Sequence, residues 1–316
     1  MRLFNEWSGM TNQSRALRLL NSQTLKYDPD TPFIMTAPQM GMGHGHYVFR
    51  DDDTGEEVFQ IYSRSRKTAY TEFGVPSPSG VGTIKKAIPD SELWPPRPDS
   101  SWTSHHGYNA WLGDTWLMQD FIESCFGASE NLQQLVEHGQ ILQAEGLKCI
   151  FEEARRQKPY CAMALSWCFN EPWTTAANTS LIDYPLTPKP ALDQVRQNCR
   201  PLLVSAKIPK FTWKPGEEFS CELWALNDRF QAAEIRRVTV SLIHDGEIET
   251  LTSWTPDRIK SNNNLRGPQV RCRLPNRKAG IFKLRLQVEG RPELNSEYRL
   301  VLKTENGHAG KQRETW

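Results

Sequence analysis

A change in sequence pattern near residue 200 constrains the fold of this chain more than any other feature. Before that point, short apolar runs alternate with stretches in which apolar residues recur at helical spacing. After it come short segments of alternating polarity, separated by turn dipeptides such as Pro215-Gly216 and Asp245-Gly246. The first pattern is typical of a parallel α/β domain and the second of a β-sandwich. The sequence therefore predicts one domain at residues 1–198, a second at 199–304 and a disordered polar tail at 305–316.

The first domain is predicted to contain buried strands and long helices. Short apolar runs predict four strands, at residues 32–36, 46–49, 68–71 and 161–167. Residues 111–158 follow a helical pattern, in which Glu152-Glu153 and Arg155-Arg156 fall on the solvated side. In the second domain, strand alternation predicts that Trp213 and Trp224 point into the core between two sheets.

Composition and charge argue against several classes of protein. The 38 Lys and Arg residues balance the 37 Asp and Glu residues, so the excess of positive charge typical of nucleic-acid and membrane-surface binding is missing. The longest nearly apolar run, at 160–169, has half the length of a membrane-spanning helix, which needs about 20 residues. Seven Cys residues without CxxC spacing favour neither a disulfide framework nor a zinc cluster. We therefore predict a soluble protein with neither a nucleic-acid nor a membrane partner.

A carboxylate stands at the end of a predicted buried strand, in Thr71-Glu72-Phe73-Gly74. The carboxyl end of a strand, followed by a glycine-containing loop, is where (β/α) barrels display catalytic groups. The alternative is a structural Glu72 that pairs with a nearby cation such as Arg64 or Arg66, or that is simply solvated.

A second cluster follows the last predicted strand of the first domain. Two indoles (Trp167 and Trp173), the amide of Asn170 and the carboxylate of Glu171 fall within seven residues. Apolar walls with a few polar groups are typical of a small-molecule site. The alternative is a Trp-rich corner of the core with a capping Asn.

Histidines form the third candidate group. His44 and His46 follow a glycine-rich turn, and His105-His106 lies in a long loop, but no clear set of carboxylate or Cys partners accompanies them. A metal hydrolase that uses His44, His46 and His105 would lose activity with a chelator. The glycine-rich turn matches neither the G-x-G-x-x-G loop of dinucleotide-binding proteins nor the P-loop, which ends in Lys and then Ser or Thr. No G-x-S-x-G motif, which would mark a serine nucleophile, occurs. The sequence predicts neither a metal nor a cofactor.

In combination, these motifs resemble glycoside hydrolase family 2, and the similar branch is the β-mannosidase-like one. The segments that carry the resemblance are residues 69–74, the loop with His105-His106, Trp167-x-x-Asn170-Glu171-x-Trp173, residues 180–184 and Lys189-Pro190. Their order, their spacing and the sandwich that follows all agree, so the resemblance covers nearly the whole chain. It implies the C-terminal portion of a (β/α)8 TIM barrel, about strands 4/5 to 8, followed by an immunoglobulin-like β-sandwich.

The resemblance also implies roles for the candidate residues. The chain would be a retaining glycosidase with Glu72 as its nucleophile, at the end of the seventh barrel strand. Trp167 would end the eighth strand and form the floor of the sugar subsite. The other residues expected around the sugar are Asn170, Glu171, Trp173, His44, His105 and His106. The expected partner is a carbohydrate, and no cofactor is needed.

The sequence departs from the family pattern at its beginning. Asn5-Glu6 has the form of the family's acid/base pair, which makes Glu6 the candidate acid/base, but it stands only 66 residues before Glu72. The alternative is that Asn5-Glu6 is a downstream loop and that the acid/base is lost. A complete barrel takes about 250 residues, and fewer than 200 precede the sandwich.

We therefore expect an N-terminally truncated chain, with little or no activity unless a second chain completes the barrel. The first ten residues do not have the pattern of a signal peptide, and the compartment stays open because an N-terminal part is expected to be missing. The alternative function is a non-catalytic carbohydrate-binding or assembly module.

Overall fold

A computed structural model describes residues 14–39, 41–110 and 115–303 of the chain. Within these ranges the α-helices are α1 (Arg15–Tyr27), α2 (Val58–Arg64), α3 (Val81–Ala87), α4 (Ser101–Ser104), α5 (Gln119–Phe126), α6 (Leu132–Arg156) and α7 (Pro190–Asn198). The strands of the first part are β1 (Gly43–Tyr47), β2 (Tyr70–Gly74), β3 (Ser77–Pro78), β4 (Ala164–Ser166), β5 (Ala177–Asn178), β6 (Ile182–Asp183) and β7 (Thr187–Pro188). Those of the second part are β8 (Leu202–Lys207), β9 (Thr212–Trp213), β10 (Glu218–Asn227), β11 (Val238–His244), β12 (Glu247–Trp254), β13 (Asn263–Arg273), β14 (Gly280–Val288) and β15 (Ser296–Leu302).

The first part is built on a three-stranded parallel sheet with the order β1-β2-β4. Helix α6 covers one face of it, and the ring of Phe73 on β2 meets Phe151 on α6 at 5.2 Å between centroids. Three of the four predicted strands therefore form, with shifted ends. The prediction of a buried strand at 32–36 is wrong, because this segment is irregular and none of its residues is buried. An apolar run becomes a strand only where a neighbouring strand pairs with it, and no described strand pairs with residues 32–36.

The second part consists of two sheets whose inner faces meet. Their orders are β13-β10-β8 and β12-β11-β14-β15-β9, and the rings of Phe219 and Phe282 meet between them at 6.1 Å. Trp213 is buried, as predicted. The prediction for Trp224 is wrong: this residue is half-buried on the outer face of β10, where its indole N–H donates to Glu222.

The sandwich covers a side of α6 that the sequence predicted to be solvated. Glu152 is 1% exposed and Glu153 is 4% exposed, and the side chains of Arg155 and Arg156 are largely buried as well, so the prediction is wrong for all four. The carboxylate of Glu152 accepts hydrogen bonds from Ser205 on β8 and Tyr298 on β15. An amphipathic pattern assigns charges to solvent, whereas these charges are buried because the second part supplies partners for them.

None of the helices in the described ranges combines the length and the apolar character that a membrane crossing requires.

Candidate active site

Glu72 lies near the carboxyl end of β2 and faces His44 on the neighbouring strand β1. The two residues are register partners, and the Nε2 atom of His44 is 2.8 Å from Oε2 of Glu72. Both side chains are partly accessible, with 33% of His44 and 23% of Glu72 exposed. A predicted catalytic carboxylate therefore stands near a strand end with a hydrogen-bond donor beside it.

A second donor to Glu72 is Tyr47, which the sequence reasoning missed. Burial, and then the hydrogen bond to Glu72, raise the pKa of the Tyr47 hydroxyl, so it stays protonated. Residues three apart on a regular strand point to opposite faces. Here Gly45 and His46 have positive φ angles of 98° and 66°, and the strand register shifts between His44 and Tyr47. This irregularity brings both side chains to the same carboxylate, and Gly45 is its only signal in the sequence.

Trp167 follows β4 and packs beside this group. Its backbone N–H donates to the carbonyl of Phe73 at 2.7 Å. Its indole contacts the ring of Tyr47 edge-on at 5.5 Å and that of Trp116 at 5.9 Å. The indole is 37% exposed, so one surface of it is open to a ligand. Two of the predicted residues, Glu72 and Trp167, are therefore connected through Tyr47.

Aromatic rings continue from Trp167 toward the long loop. The ring of His106 lies 5.7 Å from Trp116 and 5.0 Å from Trp173. Burial lowers the pKa of His106, so its ring is neutral at neutral pH. His105 lies 5.4 Å from Trp173, and its Nδ1 is 2.7 Å from the carbonyl of Thr174. The predicted residues His105, His106 and Trp173 thus form one group.

The structure places Glu171 away from this surface. It is 2% exposed and accepts a hydrogen bond of 2.6 Å from Asn178. Burial raises the pKa of its carboxyl group, against the effect of hydrogen bonds and of Lys189. Lys189 and Asp183 are fully buried 3.6 Å apart, so the motif residues 171, 183 and 189 form a structural network. Asn170, beside them in sequence, is exposed.

The described residues argue against a cysteine nucleophile and against a metal site. Burial, and then the charges of Glu171 and Glu72, raise the pKa of Cys168 to about 11, so its thiol is a poor nucleophile at neutral pH. No group of three or more His, Cys, Asp or Glu side chains among the described residues is placed to hold a metal ion. The candidate acid/base Glu6 lies outside the described residues.

A cavity of about 640 Å³ lies elsewhere, between α7 and the sandwich. Arg285 there pairs with Glu297 and Arg196 pairs with Asp193, while Arg200 donates to the carbonyl of Asn295. We place the candidate site at Glu72 on chemical grounds.

Comparisons with known proteins give two kinds of similarity. The sequence matches no protein-family model. It is 24% identical over 214 residues to β-mannosidase B of Aspergillus terreus, covering 64% of this chain and 24% of the relative. For β-mannosidase B of Emericella nidulans the identity is 24% over 250 residues, covering 73% of this chain and 29% of the relative. The chain thus spans only about a quarter of the length of the curated relatives it matches.

Solved structures share the fold. The β-D-mannosidase of Dictyoglomus thermophilum matches with a TM-score of 0.62 at 20% identity, covering 90% of this chain and 34% of that one. An exo-chitosanase of Amycolatopsis orientalis matches with a TM-score of 0.62 at 18% identity, covering 82% and 30%. The sequence and fold comparisons together confirm the resemblance predicted from the motifs: this chain is similar to the β-mannosidase-like branch of glycoside hydrolase family 2.

Proposed function

We propose that this chain carries the nucleophile side of a retaining glycosidase active site that acts on β-mannosides, with Glu72 as the nucleophile. An oxygen of Glu72 attacks the anomeric carbon, and the glycosidic oxygen leaves with a proton from a second carboxyl group. The bond between Glu72 and the sugar is then hydrolysed by a water molecule, which the second group activates. The substrate class is taken from the relatives that are named β-mannosidases.

One observation carries this proposal: Glu72 lies two residues before the end of a parallel strand, hydrogen-bonded to His44 and to Tyr47, whose ring contacts an exposed indole. The two donors fix the direction of the carboxylate, as a nucleophile in attacking position requires. A structural carboxylate that only stabilises the strand end needs no exposed aromatic surface next to it.

The sugar would bind against the aromatic rings that surround Glu72. Trp167 is 37% exposed and Trp173 is 38% exposed, so both residues have surface that a ligand could cover. Sugar rings have apolar C–H faces that pack on indoles. The exposed amide of Asn170 can exchange hydrogen bonds with sugar hydroxyls.

We further propose that β1, β2 and β4 are the last strands of a (β/α)8 barrel that further strands complete. Among the described strands, none pairs with the outer edges of β1 and β4. Leu165 on β4 is 51% exposed and Phe169 just after it is 62% exposed. Parallel sheets are normally covered on both faces, and open edges attract further strands. The second carboxyl group would come from Glu6 or from those further barrel strands.

An activated substrate tests the nucleophile without the acid/base, because its leaving group departs without a proton. The purified chain would be incubated with 2,4-dinitrophenyl 2-deoxy-2-fluoro-β-mannoside, whose fluorine slows hydrolysis of the covalent adduct. Peptide mass mapping is expected to find one sugar attached to Glu72. Glu72→Gln should abolish the adduct. Glu137→Gln removes the same charge at an exposed position of α6 and should leave it unchanged.

The outcomes separate the proposals. Absence of an adduct in the unsubstituted chain, or an adduct on another residue, contradicts the role of Glu72. If Trp fluorescence detects sugar binding but no adduct forms, the non-catalytic binding module is supported instead. An aryl β-mannoside with a poor leaving group needs the acid/base, so the chain alone should not turn it over. Turnover that Glu72→Gln abolishes would contradict the need for further barrel strands.

A further inference from the structure

The hydroxyl group of Thr71 lies between two possible hydrogen-bond partners. Its oxygen is 3.2 Å from the Nδ1 atom of His44 and 3.1 Å from the carbonyl oxygen of Gly43. The other ring nitrogen of His44, Nε2, is 2.8 Å from Oε2 of Glu72. The imidazole ring therefore bridges the hydroxyl of Thr71 and the carboxylate of Glu72.

Counting protons shows which protonation and tautomeric forms of the His44 ring are compatible with these hydrogen bonds. A hydroxyl has one proton to donate and two lone pairs, whereas an ionised carboxylate only accepts. When the ring is neutral, Thr71 donates to a bare Nδ1, and Nε2–H donates to Glu72. When the ring is charged, Nδ1–H donates to Thr71, which turns its own proton to the carbonyl of Gly43.

The remaining form, the neutral ring with its proton on Nδ1, does not fit. It would direct the bare lone pair of Nε2 at the carboxylate of Glu72 across 2.8 Å, and that contact is repulsive. In both accepted forms, by contrast, His44 donates from Nε2 to the same carboxylate oxygen. The choice of tautomer is thus set by the partners of the two ring nitrogens.

We propose that Thr71 is a positioning residue, which orients His44 so that its Nε2–H always points at Glu72. Because the hydroxyl can reverse its own hydrogen bond, the donor to Glu72 is kept whether the ring is neutral or charged. The relevance to catalysis rests on the proposed function, since it assumes that Glu72 must keep its direction. The tautomer itself does not depend on that assumption.

Nuclear magnetic resonance of the chain labelled with ¹⁵N-histidine tests the proposal. The nitrogen resonances of the ring distinguish protonated, bare and hydrogen-bonded atoms, and His44→Gln identifies the His44 signals by their loss. In the neutral ring we expect one tautomer, with a protonated Nε2 and a hydrogen-bonded Nδ1. Thr71→Val keeps the branched shape but removes the hydroxyl, and Thr71→Ser keeps the hydroxyl.

In Thr71→Val the Nδ1 resonance should move to the position of a bare nitrogen without a hydrogen bond, and Thr71→Ser should restore it. The rate of adduct formation on Glu72 should fall severalfold in the Val variant and recover in the Ser variant. A bare Nε2 together with a protonated Nδ1 in the unsubstituted chain overturns the proposal, even if the Val variant does not fold. Unchanged ring resonances in a folded Val variant also overturn it. The resonances need no activity, so failure of the proposed function would leave this result intact.

Discussion

Replacing Glu152 with Gln is expected to lower the free energy of unfolding by about 3 kcal/mol, since breaking a buried ion pair costs about 3–5 kcal/mol. Glu152 is 1% exposed, and it accepts hydrogen bonds from Ser205 at 2.7 Å and Tyr298 at 2.9 Å. It also lies 3.5 Å from the ammonium nitrogen of Lys148, which is 1% exposed. Burial lowers the pKa of Lys148, and the Glu152 carboxylate opposes this effect. The variant therefore deprives a buried cation of its anion.

The lower end of that range applies because the neighbours keep other partners. Arg156 loses Glu152 at 3.1 Å but keeps Glu153 at 3.1 Å. Lys148 keeps its hydrogen bond of 2.8 Å to Ser296 on β15. Gln also has nearly the volume of Glu, so no cavity adds to the cost.

Urea unfolding followed by Trp fluorescence provides the measurement. With a slope of about 3 kcal/mol per molar urea, the midpoint should fall by about 1 M. Glu137→Gln, on the exposed side of the same helix, is the control and should change stability by less than about 0.5 kcal/mol. Equal midpoints for the two variants would refute the reasoning. Adding Lys148→Met to Glu152→Gln should recover part of the loss, because the unpaired cation is gone, and a purely additive loss would contradict the pairing.

Further predictions concern the loops around the candidate site. Gly74→Ala should lower the free energy of unfolding in urea by about 1–3 kcal/mol, because the added Cβ would lie 2.7 Å from the carbonyl oxygen of Trp167. The control is Gly82→Ala on α3, whose Cβ meets nothing within 4 Å and which should be neutral or stabilising. Burial raises the pKa of Glu171, so ionisation of this residue destabilises the folded chain as pH rises above the ordinary value of 4.5. Glu171→Gln should therefore gain stability relative to the unsubstituted chain between about pH 4.5 and pH 7. A difference in stability that does not change with pH would contradict this. Because the pKa of Cys168 is raised to about 11, Cys168→Ser should leave adduct formation within about twofold, and a larger loss would implicate the thiol.

Several features could be predicted because they depend on residues close together in the sequence. The stripe of apolar residues on α6 sets its helical form, since residues three and four apart share a face. The turn at Asp245-Gly246 joins β11 to β12 with φ angles of 50° and 81°, a conformation that favours these residue types. The apolar run before Glu72 likewise indicated a strand with a carboxylate, although β2 continues to Gly74, two residues beyond Glu72.

The parts of the site that were missed depend on contacts between distant segments. Tyr47 reaches Glu72 only because β1 is irregular at Gly45 and pairs in parallel with β2. Glu171 looked like a ligand-binding residue beside Trp173, yet its side chain joins a network with residues 178 and 189. Periodicity reports the direction of a side chain but not the element that lies in that direction.

The sequence by itself determined the local elements, the order of the motifs and the change from α/β to all-β pattern near residue 200. Only the tertiary structure decided that charges of α6 are buried against β8 and β15 and that His44, Tyr47 and Glu72 meet. The physical reason is that burial and hydrogen bonding are properties of two surfaces in contact. A sequence pattern describes one of those surfaces, and the fold supplies the other.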